Sequence, residues 1–154
     1  MKNFFQFQVG SIELLPYCQN LWELFIENQI QNAGEMADGI AAYLQSQRDG
    51  GLLAKANDGK LHIQLVYTSN HHEPIGFCIT SLSSDRLGEL EALYVLDQYQ
   101  GNNLGKKLMQ TSLQWLEENN ALEQKLIVAA GNEQVFSFYH KFGFYSGYTT
   151  LFKA

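Results

Sequence analysis

Between Leu61 and Val95 three strand-like runs follow one another with only turn residues between them. LHIQLVYT (61–68) alternates apolar and polar side chains, SNHHEP (69–74) supplies turn formers, and IGFCITSL (75–82) is again rich in β-branched and aromatic residues. Those two runs make a hairpin. After SSDRLG, the run ELEALYV (89–95) reads as a third strand of the same sheet. The middle of the chain is therefore β, and the segments on either side have to cover it.

The flanks supply the cover. FFQFQV (4–9) alternates loosely and suggests a first strand. From Ser11 the period changes: Leu21, Leu24 and Phe25, with Trp22 and Ile26 beside them, predict a helix over about 12–30 with Pro16 near its start. Met36, Ile40, Tyr43 and Leu44 predict a second helix over 35–47, ended by Gly50-Gly51. Beyond the central strands, Leu104, Leu108, Thr111 and Trp115 mark a helix over 104–119, and KLIVAAG (125–131) has the continuous apolar character of a strand buried on both faces. EQVFSFYHKF (133–142) is helical with Gly143 as its stop, and YSGYTTLFK (145–153) is expected to be a last strand. Elements of both kinds in this order fit a single α/β (α+β) domain over residues 1–154.

Charge narrows the function classes. With 10 basic and 16 acidic residues the net charge is −6, which argues against nucleic acid as a partner, because that affinity rests on cations neutralising phosphates. No apolar run is long enough to span a bilayer, and the N-terminal stretch MKNFFQFQVGSIELLPYC lacks the apolar core of a secretion signal, so a cytoplasmic protein without membrane association is expected. Cys18 and Cys78 read as buried thiols. His71-His72 lies in a turn and His140 on a helix surface, too sparse a set for a metal site, and none is expected.

The stretch QYQGNNLGKKL (98–108) joins the third central strand to the helix from 104. A strand, a glycine-containing turn and a helix are the ingredients of a phosphate site, since free N–H groups of a first helical turn point outward with the positive end of the helix dipole behind them. GNNLGK matches neither common nucleotide motif: three residues separate its glycines, and Lys107 follows Lys106 where a hydroxyl side chain belongs. A nucleotide-binding domain is thereby a weaker reading, though ATP binding would revive it.

Taken together, LEALYVLDQYQGNNLGKKLM and, farther along, NEQVFSFYHKFGF resemble the GNAT superfamily of acetyl-CoA-dependent N-acetyltransferases. The first family pattern falls on Gln100, Asn103 and Gly105, and the second on Asn132, Val135, Phe138, Tyr139, Lys141, Gly143 and Phe144. Asn103 stands where the family has glycine, and Val135 where it has alanine. Asparagine is the side chain that best tolerates a left-handed backbone, so the loop stays feasible. The resemblance implies a mixed, mostly antiparallel central sheet of about six to seven strands with a splayed parallel pair, flanked by about four helices. It implies acetyl-CoA as acyl donor, its pyrophosphate wrapped by backbone N–H groups of Gln100, Gly101, Asn102, Asn103, Leu104, Gly105 and Lys106, with the Gln100 side chain assisting. Lys106 and Lys107 would add local positive charge.

The chemistry asks for a base, an oxyanion donor and an acid. A primary alkylamine with a pKa of ~10.4 is mostly protonated at neutral pH and has to lose a proton before it attacks. Glu89 and Glu91 share one face of the strand leading to the loop, and the resemblance slightly favours Glu91 as base. By the same resemblance, backbone groups of Leu93, Tyr94 and Val95 in the opening between the splayed strands bond the pantetheine arm, and the Val95 N–H meets the thioester oxygen. Tyr139 is the implied acid for the departing thiolate, and Asn132 bonds the cofactor or fixes the turn before its helix.

A module that binds acyl-CoA without catalysis is the alternative. The acceptor is expected to be an amine of a small molecule or peptide. Glu23, Glu27, Glu35 and Asp38 in the helical region expected to wall its pocket, beside Glu89 and Glu91, favour a cationic one. The chain ends at Ala154, so the final hairpin is short, and one strand is merged, short or supplied by a second copy in a homodimer.

Overall fold

A computed structural model describes residues 4–154; the first three residues of the N-terminal stretch lie outside it. Five strands form one sheet in the order β1-β2-β3-β4-β5: β1 (Phe5–Gly10), β2 (Lys60–Thr68), β3 (Gly76–Leu82), β4 (Leu87–Val95) and β5 (Glu123–Leu126). The first four pair antiparallel, as hairpin-length connections require, and β4 with β5 is the one parallel pair. The central strands are buried on both faces, β3 along its whole length.

Helices cover the two faces. On one lie α1 (Gln19–Ile30), α2 (Ala37–Ser46) and α3 (Leu52–Asp58), where Trp22, Phe25 and Phe77 form an aromatic cluster and the Trp22 indole N–H donates to the Leu44 carbonyl at 3.1 Å, tying α1 to α2. On the other lie α4 (Leu104–Glu118) and α5 (Phe136–His140), with Leu108 and Met109 fully buried against Val66, Ile75 and Cys78.

Three sequence expectations change. The first helix begins as a 3-10 turn over Ile12–Cys18 around Pro16, whose missing N–H suits a tighter start, and becomes α-helical at Gln19. Gly50-Gly51 does not end the second helical stretch. Gly50, at φ +151°, kinks it, and the chain re-enters a helix at Leu52, which is fully buried. This makes α3 an addition to the four helices expected.

The sheet has five strands rather than six or seven. The strand expected over 145–153 is not formed: Tyr145, Tyr148, Leu151 and Phe152 are exposed, so the segment has no apolar surface to lie on and no edge to pair with. The strand expected over 125–131 begins earlier and stops at Leu126, because from there its neighbour diverges.

Candidate active site

That divergence makes the site. Parallel pairing runs from Leu87 with Glu123 to Leu90 with Leu126 and then ends, while β4 continues to Val95 against β3 alone. A β-bulge coincides with the parting: Ile79 pairs with Ala92 and Thr80 with Leu90, so Glu91 is the extra residue. The bulge reverses the alternation. Leu90 packs with α4 on one face, whereas Ala92 packs with α1 on the other. Beyond it the Leu96 N–H bonds the Ile75 carbonyl at 2.9 Å, so by alternation the backbone groups of Leu93 and Val95 face the opening.

The opening is part of a cavity of about 840 Å³. Phe25, Asn28 and Gln29 of α1 line one end, β4 from Leu90 to Val95 the floor, and Leu126 to Val128 the opposite wall. The loop before α4 and the residues around α5 line the other end. Across the cavity Gly131, at φ +86°, lies so close to Asn32 that a β-carbon would collide with the Asn32 carbonyl. Only glycine lets these two segments meet.

The loop is built for an anion. Gly101 takes φ +89° and Asn103 is left-handed at φ 58°, the conformation asparagine tolerates, and α4 then begins at Leu104. The first helical bond runs from the Lys107 N–H to the Asn103 carbonyl at 3.1 Å; among the described residues no acceptor is bonded to the N–H groups from Gly101 to Lys106. These groups, with the helix dipole behind them, meet the requirement of a phosphate.

Gln100 differs from the expectation for it. Its N–H already bonds Asp97 at 3.2 Å, and its side-chain Nε2 donates to the Val95 carbonyl at 3.1 Å and to Asp97 at 3.2 Å. Asn102 turns its side chain back to the Tyr99 carbonyl at 2.8 Å. Lys106 lines the cavity, but Lys107 covers the Phe7 ring, 4.2 Å from its centroid.

Of the residues singled out in the sequence, the cavity brings together Glu91, Leu93, Tyr94, Val95, Gln100, Gly101, Asn103, Leu104, Gly105, Lys106, Asn132 and Tyr139. Glu89 and Asn102 lie outside its lining. Asn132 is buried and makes no side-chain cap to the following helix; its amide oxygen accepts from Gln134. The Tyr139 hydroxyl has no bonded partner among the described residues, and burial, with the neighbouring Cys78, pushes its ionisation well above the ordinary value of 10. It therefore remains a proton donor throughout the neutral range.

The two glutamates differ from each other. Glu91 is nearly enclosed, its side chain 3% exposed, with both oxygens bonded by Lys55 Nζ at 2.8 and 2.7 Å and Oε2 also accepting from Ser81 Oγ at 2.6 Å. Glu89 lines a neighbouring depression of about 330 Å³, where its Oε1 is 3.8 Å from Lys55 Nζ and 3.9 Å from Lys125 Nζ. Burial and the adjacent Glu91 raise the Glu89 carboxyl above its ordinary range, with the two lysines opposing. Lys55, Ser81 and Lys125 carry no sequence motif, and only the fold brings them to the glutamates.

The profile of the Acetyltransferase (GNAT) family matches residues 20–144, and the chain belongs to that family. No curated protein matches the sequence. Among solved structures, a GCN5-related N-acetyltransferase from Ralstonia eutropha JMP134 superposes with a TM-score of 0.69 at 18% identity, covering 98% of each chain. The PaiA N-acetyltransferase of Thermoplasma acidophilum, solved with coenzyme A, gives 0.68 at 21% identity over 96% of this chain and 93% of that one. Aminoglycoside N-acetyltransferase AAC(6')-Iy in complex with CoA gives 0.61 at 15% identity over 100% and 96%. At these identities the likeness is one of fold.

Proposed function

We propose that the chain transfers an acetyl group from acetyl-CoA to the amine of a small molecule or peptide by direct attack within a ternary complex. The carrying observation is the parting of β4 from β5 at Leu90 and Leu126, which opens a slot leading to the unbonded N–H groups of Gly101 to Lys106. A long thioester with a pyrophosphate at one end fits both features: the loop holds the phosphates and β4 bonds the arm through Leu93 and Val95.

The residues divide the reaction. Glu91, the carboxylate on the cavity wall, takes the amine proton directly or through a water as the nitrogen attacks. The Val95 N–H, on the open side of β4, donates to the oxygen that gains charge. As the carbon–sulfur bond breaks, the Tyr139 hydroxyl gives its proton to the thiolate and recovers one from solvent. Glu27 and Asp97, the carboxylates that act on Tyr94, attract a cationic acceptor to the mouth. The two buried free thiols suit a reducing compartment such as the cytoplasm.

The test is thiol release from acetyl-CoA across polyamines, aminoglycosides, amino acids and peptides. Turnover with any amine supports the reading. Tight CoA binding without turnover on any member would leave the acyl-CoA-binding module instead.

A further inference from the structure

Lys55 stands between two carboxylates that belong to two different hollows. Its ammonium bonds both oxygens of Glu91, which faces the large cavity, and lies 3.8 Å from Glu89, which faces the small one. The β-bulge creates this arrangement, since Glu91 and Ala92 both face the α1 to α3 side there and bring Glu91 level with α3. Resting on the acetyl-transfer reading above, we infer that Lys55 is a positioning residue of the reaction: it fixes the Glu91 carboxylate at the cavity wall and supplies the charge that lets two carboxylates stand side by side.

Two observations separate this role from simple packing. A buried carboxylate needs to be paired and hydrogen-bonded, and Glu91 is satisfied by Lys55 and Ser81 alone among the described residues. Removal of Lys55 would leave it one hydroxyl. Lys55 also reaches past Glu91 to Glu89, which has one further cation, the more exposed Lys125. The other charged or titratable groups at this place are Tyr43 of α2, whose phenol is raised chiefly by burial, and Asp58 of α3, which is bonded to Ser84 at 3.1 and 3.2 Å. Although burial opposes it, the bond and charge of Glu91, with Glu89 behind it, raise the Lys55 ammonium above its ordinary value, so it stays charged wherever the carboxylates are ionised.

The experiment compares Lys55→Met, Lys55→Gln and Lys55→Arg by pH–rate profile, acetyl-CoA affinity and melting temperature. The neutral variants are expected to lower kcat roughly tenfold and to move the acid limb of the profile up by about one pH unit, the effect of removing an opposite charge at this range. Acetyl-CoA affinity stays within about twofold, because the donor's phosphates bind at the far end of the cavity, and Lys55→Arg restores the limb. A limb unmoved in the neutral variants overturns the inference, as does their failure to fold while Lys55→Arg folds, which would make Lys55 a structural residue only. Glu91→Gln distinguishes the underlying reading: wild-type turnover in that variant removes the base role itself, whatever Lys55 does.

Discussion

The side-chain nitrogen of Gln100 donates to the Val95 carbonyl at 3.1 Å, so the loop that starts α4 is tied to the last residue of β4. The two backbone features that would bind acetyl-CoA, the open strand edge and the run of free N–H groups, are thereby held at a fixed distance. Gln100 works here by bracing the loop. Gln100→Ala is expected to raise the KM for acetyl-CoA several-fold with a smaller change in kcat, since a loosened loop loses binding common to ground and transition states. Initial rates over a range of acetyl-CoA concentrations measure it, and an unchanged KM would mean the loop holds itself.

Gly101 tests the same loop from the backbone side. At φ +89° with open space around its α-carbon, a side chain meets no clash there, only an unfavourable backbone, so Gly101→Val should redirect the N–H groups without disturbing the core. CoA binding by calorimetry should fall at least tenfold with the melting temperature nearly kept. Gly105 differs: a β-carbon there would touch the Phe138 ring at 3.6 Å, so Gly105→Ala is expected to be mild and Gly105→Val to push α5 away. Equal losses in both Gly105 variants would contradict this.

Tyr139 should affect chemistry and spare binding. Tyr139→Phe keeps the ring that packs against Phe138 and removes only the hydroxyl, and kcat should fall on the order of 10²-fold with CoA affinity unchanged. Because its ionisation lies above the ordinary range, the wild-type profile should show no alkaline loss from this residue at or below pH 9. Wild-type turnover in the variant would assign thiolate protonation to solvent.

How much of this was legible depends on whether the partners are local. Gln100, Asn103, Gly105 and Tyr139 stand in short continuous motifs, and the cavity gathers all four. Lys55 and Ser81 reach Glu91 from 36 and 10 residues away, and no spacing announces such pairs. The face shared by Glu89 and Glu91 was readable from strand period, but the bulge that carries Ala92 to the same face was not, since a one-residue insertion leaves no trace in the alternation until the partner register is known. Gly50-Gly51 misled for a related reason. Glycine permits a kink as readily as a stop, and only the burial of Leu52 decides between them.

Glu89 gives a stability prediction with a definite sign. Its carboxyl is raised, so the folded chain holds that proton more tightly than the unfolded one; its contribution favours folding below the ordinary value of 4.5 and is lost as pH rises through the folded value. Glu89→Gln, which carries no charge at any pH, should therefore melt higher than wild type at pH 7 and no higher near pH 4. A variant less stable than wild type at pH 7 would show that attraction to Lys55 and Lys125 outweighs the cost of burial, and that the folded chain holds this proton less tightly than the unfolded one.

The acceptor's charge is the last expectation, and the site limits how strongly it is expressed. Six carboxylates suggested a cationic amine in the sequence, yet Glu91 is matched by Lys55, Glu89 lies near Lys55 and Lys125, and Glu23 is 3.6 Å from Arg48. What is left to act at the mouth is Glu27, which is exposed and acts on Tyr94 from α1, with Asp97 beyond the end of β4. Their field is that of surface charges and is screened within about 10 Å at 0.1 M salt. Diamines should therefore show a lower KM than neutral monoamines at low ionic strength, by roughly two- to fivefold, and the advantage should fade with added salt. Glu27→Gln should raise the diamine KM alone and leave kcat in place. If the diamine advantage persists in high salt, the ammonium is bound by a buried carboxylate, and Glu91 would then have to release Lys55 to receive it.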